Sequence, residues 1–183
     1  MWIRRRGEKG AAAVEAAIVT PMFILLIVGI LEFGMFFKDY LSVASAVRAG
    51  VRTASAEPRM STYAQHAADS VGGEGAGFAR GDVQELWVYK ANLADKFPIG
   101  ASSFANCTTC VKFAWNGTSF APTYSNWAAA SQQACAAGPP DRVGVYLRLR
   151  HKAFTGFIFT SITIEESTVL RFEPKPSTQT CEP

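Results

Sequence analysis

From Gly10 to Phe37 the chain is apolar or small at nearly every position, with only Glu15 and Glu32 interrupting, and Ala16 to Leu31 carries no charge at all. An α-helix crosses the ~30 Å hydrocarbon core of a bilayer in ~20 residues, so the stretch predicts a membrane-spanning helix. The pattern then shifts without a break. Tyr40, Ala44, Val47 and Val51 recur at spacings of 4, 3 and 4, while Ser42, Ser45, Arg48, Arg52 and Ser55 fall largely on the other side. That is a helical period with one apolar stripe. Glu57-Pro58 is the expected stop, because the residue before a proline is pushed out of the α region. One continuous helix from Ala11 to Ala56 would be ~70 Å long, half of it in lipid and half amphipathic. Pro21 lacks the N–H that would bond to Ala17 and is expected to kink or loosen the helix there.

Beyond Pro58 the pattern turns to short elements. Met60 to Val71 predicts a short helix, broken by the glycine cluster Gly72-Gly73-Glu-Gly75-Ala-Gly77. Val83 to Tyr89 alternates Val83, Glu85, Trp87 and Tyr89 against Gln84, Leu86 and Val88, the period of a strand. Residues 91–106 read as irregular. Val111 to Trp115 and Thr118 to Ala121 flank Asn116-Gly117, a strong hairpin signal. Ser125 is placed to cap a short helix running to Ala136, closed by Gly138-Pro139-Pro140. In Arg142–His151, Val143, Val145, Leu147 and Leu149 face one way, and Tyr146, Arg148 and Arg150 the other. In Ser161–Phe172, Ile162, Ile164, Leu170 and Phe172 share a face. Between these strands Ala153 to Thr160 is apolar but too short to span a membrane, and is expected to pack on the sheet as a turn or short helix. The fold class is therefore α+β: a long N-terminal transmembrane and amphipathic helix, residues 11–57, then a head over 58–183 built on an antiparallel sheet.

Charge sharpens the orientation. The chain of 183 residues has a formal net charge of +3. All of it sits in residues 1–10, where Arg4, Arg5, Arg6 and Lys9 face only Glu8. A basic flank predicts that this end stays in the cytoplasm, with the head outside. The body carries balanced charges, which argues against a nucleic-acid-binding face. With 49% hydrophobic and 18% charged residues and a mean hydropathy of +0.09, the chain is neither disordered nor a coiled coil. Two other readings of the first segment compete. A cleaved secretory signal peptide would have small-residue sites such as Ala44-Ser45-Ala46 nearer the basic end. A plain anchor would have no use for Glu15, since a carboxylate in the membrane costs ~2.5–3.5 kcal/mol on insertion scales.

The run Gly10-Ala-Ala-Ala-Val-Glu15, followed by Ile18-Val19-Thr20-Pro21, Gly29-Ile-Leu-Glu32-Phe-Gly34 and Ala46-Val-Arg48-Ala-Gly50-Val-Arg52, resembles TadE-like proteins. These are minor pilins, or pseudopilins, of tight adherence (Flp-type IVb) pilus systems. The tail from Phe154 through Ile164 to Val169-Leu-Arg171-Phe-Glu173-Pro174 resembles the same family. The resemblance implies a bacterial inner-membrane protein whose basic leader, residues 1–10, is removed by a prepilin peptidase between Gly10 and Ala11. Glu15 would then be the fifth residue of the mature chain, followed by Ala16 where the family usually has a larger side chain. Implied partners are the peptidase, other pilins and the pilus assembly platform, and Glu15, Pro21 and Glu32 are the positions marked for helix assembly. A new amine at Ala11 could meet Glu15 of a neighbouring chain, giving each buried charge a partner.

Four cysteines, Cys107, Cys110, Cys135 and Cys181, follow the membrane segment, on the side expected to be oxidising. They allow three connectivities. The local Cys107–Cys110 pair is disfavoured, because longer loops stabilise more in the entropy model, and a bond to Cys181 would anchor the tail. A single C-x-x-C with no His66 or His151 nearby does not make a zinc site. No catalytic motif occurs, and no enzyme activity, cofactor, metal or small-molecule substrate is expected. His66 and His151 read as surface or capping residues. Glu165 and Glu166, adjacent on a strand, should point to opposite faces. Tyr89, Trp115, Trp127 and Tyr146 read as packing residues. The alternative function is a membrane-tethered extracellular binding module with no pilus role, which would need neither Gly10 nor Glu15.

Overall fold

The computed structural model describes residues 8–74, 82–136 and 138–176. Its first element, α1, is a single helix of 49 residues, Glu8–Ala56, with Pro21 inside it. The helix passes through Pro21 because proline forfeits one backbone bond there while the flanking apolar residues keep helical geometry. It stops at Ala56, as Glu57-Pro58 requires. A reversal follows in which Arg59 takes a φ of 64°, and α2 runs over Tyr63–Glu74. The helix therefore runs through Gly72 and Gly73 to Glu74, three residues past its expected end at Val71, while Gly75 and Gly77 lie outside the described residues.

Five strands follow: β1 Val83–Lys90, β2 Cys110–Trp115, β3 Phe120–Ser125, β4 Arg142–Lys152 and β5 Ser161–Arg171. They form one sheet in the order β3-β2-β1-β4-β5, with every neighbouring pair antiparallel. The α+β reading is thus shown. β4 keeps the expected alternation, with Val143, Val145, Leu147 and Leu149 buried towards the helices and Tyr146 on the opposite face. β1 breaks strict alternation. A bulge between Val83 and Glu85 turns Val83 to the same side as Leu86 and Val88, where it joins the main core.

The helices cover one face of the sheet and the irregular segment 91–109 covers the other. On the helix side, Val43, Val47, Val51 and Ala54 of α1 and Ala64, Ala67 and Val71 of α2 meet the strands. The buried stripe is rotated by about one residue from the expected one: Val43 is fully buried while Tyr40 stays half exposed. Burying a Val side chain contributes ~1.5–3 kcal/mol, so Val43, Val47 and Val51 are sufficient to hold the second half of α1 against the head. On the other face Phe104 stacks on Tyr146, ring centroids 4.0 Å apart, beside buried Trp87 and Tyr89. Trp127 is buried too, and Trp115 packs at the edge of the main core.

Three local expectations need correction. The Asn116-Gly117 hairpin has a four-residue loop, not a two-residue turn: Asn116 Oδ1 accepts the N–H groups of Thr118 and Ser119, each at 2.9 Å, so the second strand starts at Phe120. The helix expected after Ser125 is reduced to a single 3₁₀ turn, Ala129–Ser131. Trp127 is pulled into contact with Tyr63 and Phe172, and Gln132 turns inward so that its Oε1 accepts the Arg59 N–H at 2.6 Å; neither contact fits a continuous helix. The 153–160 loop does not lie on the sheet. It leaves the end of β4 and lies along α1.

Candidate functional site

The apolar part of α1 stands free of the head up to about Ile27 and meets it only along one side beyond that. From Val14 to Phe37 its large side chains are mostly exposed, and the helix is long and apolar enough to cross a membrane once. Two carboxylates interrupt that surface, and the structure treats them differently. Glu15 is exposed and has no hydrogen bond or ion pair among the described residues. Gly10 and Ala11 are helical and exposed, one continuous turn away from it. Arg4, Arg5 and Arg6 lie outside the described residues.

Glu32 is wholly buried. The loop joining β4 to β5 wraps its carboxylate with backbone donors: Phe154 N–H to Oε2 at 2.9 Å, and Thr155 N–H at 2.6 Å and Gly156 N–H at 3.2 Å to Oε1. The Thr155 hydroxyl donates to the same Oε1. Three successive N–H groups converging on one oxygen pair form an anion nest, and Gly156 closes it with a φ of 69°, a left-handed conformation that suits glycine. Glu32, marked in sequence with Glu15 as an assembly residue, is therefore already engaged inside its own chain. It joins α1 to the head.

A second joint lies about two turns further along the helix. His151 Nδ1 and Asp39 Oδ2 are 2.7 Å apart, and the His151 ring packs edge-on against Phe36 at 5.7 Å. His151 is buried rather than a surface residue, because the last residues of β4 press against α1. His66, by contrast, remains half exposed beside Glu57 at 2.7 Å. The adjacent acids do split across the sheet. Glu165 pairs with Arg148 at 3.1 Å, while Glu166 faces Tyr40, and its hydrogen bond and negative charge push the Tyr40 phenol above its usual range.

The cysteine expectation is overturned in one part. Cys107 and Cys110 are bonded to each other, with Cα atoms 6.1 Å apart. The loop-entropy argument ranks what a bond would contribute, but it does not say which sulfurs the fold brings together. Here Lys90 N–H to Thr109 O at 3.0 Å and Asn126 N–H to Cys110 O at 2.9 Å pin the turn that juxtaposes them. Cys135 is also in a disulfide, and Cys181 lies outside the described residues. Among the described residues no cluster of His, Cys, Asp and Glu could hold a metal ion.

Sequence reasoning singled out Glu32 for helix assembly, not as a joint within the chain, and missed Thr155, Asp39 and the His151 contact. The available signal was the coincidence of a lone acid in an apolar helix with an uncharged, glycine-containing hairpin tip. Neither a curated protein nor a solved structure matches the chain. Its residues 10–52, the segment from the Gly10–Ala11 bond through Glu15 and Glu32 to the amphipathic half of α1, match the family of TadE-like proteins.

Proposed function

We propose that this chain is a minor pilin of a tight adherence pilus system, acting in pilus assembly or priming. Its work is structural and no catalytic step is assigned to it. The observation that carries the reading is Glu15: an exposed carboxylate with no partner among the described residues, five positions after Gly10, in an apolar stretch of α1 within the TadE-like segment. α1 crosses the bacterial inner membrane once, with its basic end in the cytoplasm and the head outside. A prepilin peptidase removes residues 1–10. The freed amine of Ala11, whose ordinary pKa is ~7.7–8.0, then pairs with Glu15 of an adjacent pilin helix, so that neither charge stays bare in lipid. The assembly platform and other pilins are the partners. No nucleic acid or small-molecule substrate enters this reading.

The test is the mass of the N-terminal peptide recovered from membranes, combined with incorporation of a Glu15→Gln variant into pili or assembly complexes. An N-terminus at Ala11 with impaired incorporation supports the proposal. Retention of Met1 together with normal incorporation of the variant overturns it.

A further inference from the structure

The β4–β5 loop has no charged residue from Ala153 to Thr160, yet its largest side chains face outward. Phe154 is 69% exposed, Phe157 74% and Ile158 48%. The loop lies beside the apolar half of α1. Phe159 approaches Phe33 with ring centroids 6.2 Å apart, and Ile158 Cδ1 lies 3.7 Å from the position a Cβ on Gly29 would take. Its exposed apolar groups therefore continue the uncovered surface formed by Ile30, Phe33 and Phe37.

Depth follows from the helix. Asp39 and Lys38, with Lys152 and Asp82 paired at 3.4 Å near the end of β4, mark a polar level. Glu32 is seven residues earlier than Asp39, ~10 Å further along the helix axis. The loop thus reaches past the polar level by about the depth at which interfacial apolar groups sit, ~5–10 Å.

Its backbone is also prepared for a setting without water. In hydrocarbon every unpaired N–H costs several kcal/mol. Phe154, Thr155 and Gly156 donate to Glu32, Phe157 donates to Thr155 Oγ1 at 3.3 Å, and Ala153 donates to Thr160 O at 3.1 Å. The five consecutive amides from Ala153 to Phe157 are thus paired inside the chain, and the donors on Glu32 offset the cost of holding an acid at this depth.

We infer that the β4–β5 loop is a second membrane-inserting element, a lip that enters the leaflet nearest the head and presents Phe154, Phe157 and Ile158 to lipid acyl chains. The inference rests on the membrane-spanning reading of α1. It makes the head a partly embedded body with a set height and rotation on the bilayer, not a domain swinging from its helix.

The experiment uses the full chain in phospholipid vesicles at low protein density. Phe154, Phe157, Ile24 and Leu93 are replaced in turn by p-benzoylphenylalanine, irradiated, and the adducts identified by mass. Ile24 reports on α1. Leu93 is 85% exposed and lies near the Arg142 end of β4, a strand length away from the loop. Lipid adducts at 154 and 157 comparable to those at 24, and at least ~10-fold above those at 93, are expected for side chains within the acyl region. Adducts at 24 but only the Leu93 level at 154 and 157 overturn the lip while leaving the spanning helix intact. Absence of lipid adducts at 24 overturns both readings, and crosslinks from 157 to a second copy in place of lipid overturn the lip.

Discussion

Asp39 and His151 stand 112 positions apart in sequence and 2.7 Å apart in the structure, the Asp39 carboxylate against Nδ1 of a ring that is almost completely buried. The contact fixes the rotation of α1 relative to β4, since Asp39 can reach the ring from only one face of the helix. Asp39→Ala is expected to destabilise the head by ~1–3 kcal/mol, the usual cost of leaving a buried polar group without its partner. A cycle with His151→Phe should show a coupling of ~0.5–3 kcal/mol. Chemical denaturation of the four proteins checks both figures, and strict additivity would mean the contact contributes nothing.

Glu32 makes a different kind of joint, because all its donors come from one loop. Glu32→Ala removes the acceptor from the Phe154, Thr155 and Gly156 amides at once. Bonds to a charged acceptor contribute ~1.5–3 kcal/mol apiece, so hydrogen exchange at these amides should rise by orders of magnitude while β1 and β4 keep their protection. Glu32→Gln retains an acceptor oxygen but loses the charge, and should fall between the two. Equal exchange in all three proteins would show that the carboxylate does not hold the loop.

The close approach of the two helices rests on Gly50. A Cβ built there meets Val71 Cγ2 at 2.5 Å and the Ala67 carbonyl oxygen at 3.0 Å. Gly50→Ala gains ~1 kcal/mol of helix propensity but forces α1 and α2 apart, and overpacking costs ~1–3 kcal/mol. A net loss of thermal stability is expected, recovered in part by Val71→Ala on the same chain. If Gly50→Ala alone raises the melting temperature, the packing is looser than described.

What could be read in advance tracks how local its cause is. The alternation of Val143, Val145, Leu147 and Leu149 against Tyr146 is set by the pleat, and the helix stop at Ala56 by the next two residues, so both were legible. The offset of the α1 stripe towards Val43 was not, because a period defines a face only to within a residue until the surface that covers it is known. The helix expected after Ser125 gave way to Trp127, whose burial against Tyr63 and Phe172 is worth more than a short run of alanines. Glu32 stood out as an acid among apolar residues, yet its partner Thr155 is 123 positions away, and no spacing rule reaches that far. The Cys107–Cys110 bond was misjudged for the same reason: the turn that brings the two together is closed by Lys90 and Asn126.

The tyrosines set the alkaline limit of the head. Burial pushes the phenols of Tyr63, Tyr89 and Tyr146 up, Tyr146 to about 12, where Glu165 and Glu85 add to the effect. The first two donate their hydroxyls to backbone oxygens, Tyr63 to Trp127 at 3.1 Å and Tyr89 to Lys96 at 2.7 Å. An unfolded tyrosine titrates near ~10, so between ~10 and the raised values the folded chain holds protons that the unfolded chain has lost. Stability must therefore be intact below pH ~10 and fall as pH rises beyond it. Melting temperatures measured from pH 8 to pH 12 should stay level and then decline. Tyr146→Phe, which keeps the ring stacked on Phe104 but cannot ionise, should decline less steeply than the parent chain. Superimposable alkaline limbs for the two proteins would show that Tyr146 is not held protonated by the fold.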